Sequence, residues 1–167
     1  TQGLIVSTGT TVTTSGGLAA AGTDPDFKFT GAVGTSSVWS SAAAVNFGQV
    51  RVEANATVVL MSNVTCTAIQ VDGTLDLNGY TLTVTGGGGA VVTVNGTVIN
   101  DNTTVGDGPD GGITLTDVQN GGGDVQINGI LSLAPTTAAA AGNGQLVVGD
   151  DLFVAANATL VGSAGQS

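Results

Sequence analysis

The sequence predicts an all-β fold, a parallel β-solenoid (β-helix) with a non-repeating N-terminal arm and cap, and three observations point to it. Helical periodicity is nearly absent, because Gly or runs of Thr and Val interrupt every window with apolar residues at i, i+3, i+4 and i+7. Short alternating runs recur, each bounded by Gly, Asn or Asp, residues that tolerate tight turns and positive φ. One corner pattern returns along the chain.

In order, the alternating runs fall at residues 50–52, 58–60, 69–71, 75–77, 82–84, 92–94, 113–115, 125–127, 131–133 and 146–148. Each reads as a short half-buried strand. The one helical candidate is 36–45, Ser-Ser-Val-Trp-Ser-Ser-Ala-Ala-Ala-Val, for which an irregular apolar loop is an equal alternative. The corner pattern reads apolar, any residue, Asn or Asp or Ala, Gly or Ala, usually Thr, then apolar again. Its copies centre on Gly9, Ala56, Gly73, Gly96, Gly129 and Ala158, so the steps between them are irregular.

Such a pattern describes a short strand, a corner, and a second short strand turning away from the first. Asn-Gly also makes type I′ hairpins, so an antiparallel β-sandwich or jelly roll is the competing architecture. The solenoid is favoured by the shortness of the strands, by Val, Ile or Leu recurring at the flanking positions, and by steps that match one coil plus a variable loop.

The segment Val71-Asp-Gly-Thr-Leu-Asp-Leu-Asn-Gly-Tyr-Thr-Leu-Thr-Val84 resembles the coils of extracellular right-handed parallel β-helix proteins, a class that includes pectin-lyase-like domains and autotransporter-passenger repeats. The resemblance covers 50–133 and the copy at 152, about half of the chain. It implies an architecture more than an activity. On this reading 1–48 form an N-terminal arm and cap and 49–167 the solenoid core, within a single structural domain.

Composition narrows the chemistry. Gly, Thr, Val and Ala supply 96 of 167 residues, whereas the charged residues are 11 Asp, one Glu, one Lys and one Arg, for a net charge of −10. With no basic surface to neutralise phosphates, nucleic acid is a poor partner. No His is present and Cys66 is the one cysteine, which removes His-based acid/base chemistry, Cys/His metal sites and an intramolecular disulfide. The longest apolar runs hold only a few residues, far short of the roughly 20 a membrane-spanning helix needs. The chain opens at Thr1 with no Met and no basic segment leading into an apolar stretch, which fits an exported product whose targeting segment has been removed. The expected location is extracellular, at the cell surface.

An enzyme is not expected. Lyases and hydrolases on β-helices use clustered carboxylates assisted by Lys, Arg or His, and those partners are missing. Asp150-Asp151 resembles the paired Asp of polygalacturonases, but the Gly-His-Gly and Arg-Ile-Lys elements that accompany it there are absent, and a turn-forming acidic pair is the simpler reading. No Ser sits in a Gly-x-Ser-x-Gly elbow. No cofactor is expected apart from calcium, for which the acidic loop 100–112 offers Asp101, Asp107 and Asp110; a solvated turn is the alternative.

Five Asn-x-Thr sequons make Asn55, Asn63, Asn95, Asn102 and Asn157 glycosylation candidates, although turn chemistry at the repeated corner explains them equally well. Asn78, Asn95 and Asn128 each precede Gly, and stacked coils would let their amides pair as a ladder. Phe27, Phe29, Trp39 and Phe47 cluster in the non-repeating part, either as the core of a cap or as a sugar-stacking platform.

A solenoid's end coils expose unpaired backbone groups. Pro and Lys, two common protections of such edges, are scarce here, and residues 4–12 form an uncharged β-prone segment with Leu4, Ile5, Val6 and Val12 as the assembly strand. The function expected is an exported structural subunit that polymerises with itself into a surface filament or matrix, by strand addition or end-to-end coil stacking. The alternative is an adhesin or glycan-binding module whose partner is a glycan or another cell surface.

Overall fold

The computed structural model describes residues 4–6, 11–14, 27–32, 34–41, 46–86, 89–100, 112–115, 122–135, 145–147 and 151–161. In these residues the chain alternates apolar and polar side chains over very short runs, so such a run becomes a strand with one face buried. The strands are β1 (Leu4–Val6), β2 (Thr11–Thr14), β3 (Phe27–Phe29), β4 (Ser36–Ser41), β5 (Gln49–Val52), β6 (Thr57–Leu60), β7 (Val64–Cys66), β8 (Ala68–Val71) and β9 (Thr74–Asp76). They continue as β10 (Thr81–Val84), β11 (Gly89–Val94), β12 (Thr97–Asn100), β13 (Gly112–Leu115), β14 (Gly122–Ile127), β15 (Ile130–Pro135), β16 (Gln145–Val147), β17 (Leu152–Val154) and β18 (Thr159–Val161).

Every pairing among the described strands is parallel, and three sheets result. The first runs β1-β3-β5-β8-β11-β14-β17, the second β2-β4-β6-β9-β12-β15-β18, and the third β7-β10-β13-β16. From β5 onward the chain visits first, second and third sheet in turn, so each circuit adds one strand to each. This is a parallel β-solenoid. The antiparallel sandwich requires hairpin pairing, and no described strand pairs with its immediate neighbour in sequence.

Along the second sheet, Thr57, Thr74, Thr97, Ile130 and Thr159 stand in register from β6 to β18. Each directly follows a marker of the corner pattern, at Ala56, Gly73, Gly96, Gly129 and Ala158, so that pattern marks one coil per copy. The long first step, from Gly9 to Ala56, spans two coils. Between its ends lie β3, paired with β5, and β4, paired with β6. Residues 36–41 of the helical candidate are therefore strand, stabilised by pairing with β6; residues 42–45 lie outside the described residues. The described strands of 1–48 extend the first and second of the three sheets that 49–167 form.

Backbone geometry at the corner between first and second sheets explains the repeated Gly. The Val52, Val71 and Val94 carbonyls each accept two N–H groups from the corner above: Asp72 and Gly73 at 2.8 and 3.2 Å, Asn95 and Gly96 at 2.8 and 2.9 Å, Asn128 and Gly129 at 2.8 and 2.9 Å. Next, Thr97 N–H donates to the Gly73 carbonyl and Ile130 N–H to the Gly96 carbonyl, both at 2.8 Å. A Cβ added to Gly96 would overlap the Gly73 carbonyl oxygen, and one added to Gly129 would overlap that of Gly96. The added carbon is excluded by backbone, which cannot swing aside. Coils carrying Ala56 and Ala158 instead use wider corners, closed by Ala56 N–H to Glu53 O at 2.8 Å and Ala158 N–H to Ala155 O at 2.9 Å.

Inward residues form columns along the stack. Val50, Ile69, Val92 and Val125 are in register, as are Val58, Leu75, Val98 and Leu131, all buried. Each buried Val or Leu contributes about 1.5 to 3 kcal/mol. At the N-terminal end the filling is aromatic: Trp39 meets Phe47 edge-on at 5.1 Å and Phe29 at 5.4 Å, and Phe27 meets Phe47 at 5.2 Å. Among the described residues the Trp39 indole N–H has no hydrogen-bond partner, a cost that its packing offsets.

Gly96→Ala is expected to lower stability by roughly 2 kcal/mol or more, because neither coil can move away without breaking the ladder. Chemical denaturation followed by Trp39 fluorescence measures it. Cys66 is fully buried in β7, and burial pushes its thiol far above the ordinary value. A thiol reagent at pH 8 is accordingly expected to leave the native protein unmodified and to label it fully in denaturant.

Candidate functional site

Register brings together residues that are one coil apart in sequence, and the corner between first and second sheets gains an axial polar ladder. Asp72 is its centre. Arg51 donates to Asp72 Oδ2 through Nε at 2.9 Å and pairs with it through Nη2 at 2.8 Å, while Gln70 Nε2 donates to Oδ1 at 2.9 Å. From the coil above, Asn95 Nδ2 donates to Asp72 Oδ1 at 2.7 Å, and Asn128 Nδ2 donates to Asn95 Oδ1 at 2.8 Å. Below, Lys28 Nζ pairs with Glu53 Oε1 at 3.2 Å. Both basic side chains of the protein thus neutralise acids of this one corner.

Asn95 and Asn128 form the amide pairing that the sequence suggests. Asn78 does not join them, since it occupies the corner between second and third sheets. There Asn78 and Gly79 both take positive φ, 47° and 79°, and Tyr80 N–H closes the turn onto the Leu77 carbonyl at 2.7 Å. The Asn78 amide donates to the Leu60 carbonyl at 3.1 Å, and buried Asn100 accepts from Gly79 N–H at 2.8 Å. Asn-Gly therefore serves two different corners.

Partial burial alone would raise the Asp72 carboxyl. The hydrogen bonds from Asn95, Gln70 and Arg51, together with the Arg51 charge, outweigh it and hold the carboxyl below its ordinary value of 3.8. These are structural contacts on a solvated corner.

The ends of the stack are the second feature. β17 and β18 close the first and second sheets, β1 and β2 open them, and among the described residues no strand pairs with the outer edge of any of the four. In the final coil Leu152, Val154 and Leu160 stand in register on Val125, Ile127 and Leu131. The three interior residues are 0% exposed, whereas their end-coil counterparts are 41%, 46% and 41% exposed. Beside them Phe153 is 53% exposed. Leu4, Ile5 and Val6 pair in parallel with β3, and Val12 pairs with Trp39, so the segment expected to add to a neighbour is already paired within the sheets of its own chain along one edge.

The remaining sequence candidates divide by position. Asp101, Asp107, Asp110 and Asn102 lie outside the described residues, as does Asp150. Asp151 is exposed, and the described residues hold no cluster of three metal-ligating side chains. Asn55 and Asn157 are exposed on the two wide corners; Asn63 is exposed and accepts from Thr81 N–H at 2.9 Å; Asn95 is committed to the ladder on both amide atoms. Phe27, Phe29, Trp39 and Phe47 are buried, which removes them as a sugar-stacking platform. No described helix is long and apolar enough to cross a membrane. Neither the Arg51–Asp72 pair nor the open end coil is visible without register, because each depends on which coil lies above which. No protein-family profile, curated protein or solved structure matches the chain.

With a folded carboxyl held below 3.8, the Asp72 contribution is fully present above about pH 4 and is lost as the pH falls through the folded value. Acid denaturation of the wild type is expected to steepen in that window. Asp72→Asn is expected to flatten it, and an unchanged pH profile in the variant would place the acid sensitivity elsewhere.

Proposed function

We propose that this chain is an exported structural subunit that assembles with itself into an extracellular filament or matrix by stacking coils end to end. The observation that carries the reading is the end coil: its inward columns continue in register from a fully buried core but are left open at β17 and β18. Open apolar columns beside an unpaired strand edge favour addition of a further coil, since that one step buries the side chains and completes the backbone ladder. The construction of the stack supports a structural role, because its interior coils are joined by buried Val and Leu columns and by a corner ladder of the chain's own side chains. A glycan-binding role has less support, as Phe153 is the one exposed aromatic of the chain.

Electron microscopy of the purified protein at neutral pH, with and without a calcium chelator, tests the proposal. Uniform unbranched fibres are expected. Their loss on chelation would bring calcium into the assembly through the acidic loop 100–112, and fibres that survive would leave that loop as a solvated turn. Leu160→Asp, which alters an exposed residue, is expected to abolish fibres while preserving the circular dichroism of the fold. Dispersed wild-type monomers at every concentration would overturn the proposal and favour the adhesive module.

A further inference from the structure

The first sheet carries a register column that changes character at its two ends. It runs from Ile5 through Lys28, Arg51, Gln70, Thr93 and Gln126 to Phe153. All of its interior positions are polar or charged. Ile5 in the first strand and Phe153 in the last are large and apolar, although by register they belong to the column that is polar everywhere else.

We infer that the occupant of the end coil is a second copy of this chain in the same orientation, with β17 and β18 of one copy pairing in parallel with β1 and β2 of the next, and Phe153 and Ile5 as register partners across the joint. This rests on the self-assembly proposed above and specifies its polarity and contacts. Three features select this occupant. The contact continues the coil-to-coil interface that the fold already repeats: both ends present one strand of the first sheet and one of the second, and every pairing among the described strands is parallel. A copy facing the other way would bring strands together antiparallel and part the two corners.

Charge is compatible too. The chain carries −10 overall, yet the four end strands, Leu-Ile-Val, Thr-Val-Thr-Thr, Leu-Phe-Val and Thr-Leu-Val, contain no charged residue. Like charges therefore do not meet at the joint. The neighbouring register column supplies the third feature: it is apolar from Leu4 to Leu152, so joining copies places Leu4 in register with Leu152 and extends the column without a break. A heterologous contact of this kind propagates as an open fibre.

Cysteine pairing reads the joint. Adjacent parallel strands lie about 4.8 Å apart, within disulfide reach. Ile5→Cys chains mixed with Phe153→Cys chains under mild oxidation are expected to give covalent dimers, while each variant alone gives none; native Cys66 is buried and does not interfere. Phe153→Gln, which copies the Gln126 of the coil below, is expected to raise the critical concentration for assembly about tenfold or more with the monomer fold unchanged. Fibres that form with like-to-like crosslinks, or with none, would overturn the head-to-tail joint while leaving self-assembly standing. Equal polymerisation of Phe153→Gln would do the same. Absence of wild-type polymer would overturn both, as would hydrogen-exchange protection of β17 that persists on dilution, since the edge would then be covered within one chain.

Discussion

Everything in this molecule depends on how closely one coil can approach the next at the corner between the first and second sheets. The spacing there is that of parallel strands, and the chain has to turn sharply without leaving it. Gly73, Gly96 and Gly129 permit this because their backbones sit directly against a carbonyl of the coil below, where a Cβ would collide with Glu53, Gly73 and Gly96 respectively. Once the corner is seated, one carbonyl holds two N–H groups of the coil above and the register of the stacked strands is set. Register then determines which side chains become neighbours. The apolar columns and the Arg51–Asp72–Asn95–Asn128 ladder are consequences of that placement.

Much of the architecture was legible because it is periodic. Each of the alternating runs overlaps a strand, and the corner steps from Ala56 through Gly73, Gly96 and Gly129 to Ala158 are coil lengths. The part that escaped is the part that breaks the pattern. In the coil formed by β3 and β4 the corner includes Gly34 at φ 89° and Thr35 bonded to the Ala32 carbonyl, so no Asn-Gly-Thr marks it. Ser36–Ser41 looks indifferent to strand or helix by propensity, and pairing with Thr57–Leu60 decides the matter.

The candidate site was legible to a smaller degree. An Asn ladder follows from the recurrence of Asn before Gly, yet sequence alone groups Asn78 with Asn95 and Asn128 because the dipeptide is the same. The φ values separate them: Asn78 turns through positive φ, and Asn95 and Asn128 do not. The involvement of Arg51 was not readable at all, since its carboxylate partner Asp72 lies a full coil further along the chain and such a contact has no local signature. The polar register column with apolar ends is similar. Ile5 and Phe153 are ordinary in their own segments, and their significance comes from the intervening coils of Lys, Arg, Gln and Thr.

Stacking also gives the proposed assembly a length scale that no side-chain experiment supplies. Among the described residues the first and second sheets each hold seven strands, one per coil, and a strand spacing of about 4.8 Å gives these seven coils about 34 Å along the axis. Fibre diffraction from aligned assemblies measures that repeat directly. A meridional reflection at the strand spacing, combined with an axial repeat of one subunit length, is the result expected of copies joined head to tail with no gap. A repeat of twice the subunit length would mean that copies alternate in direction, and a meridian lacking the strand-spacing reflection would contradict coil stacking as the basis of the polymer.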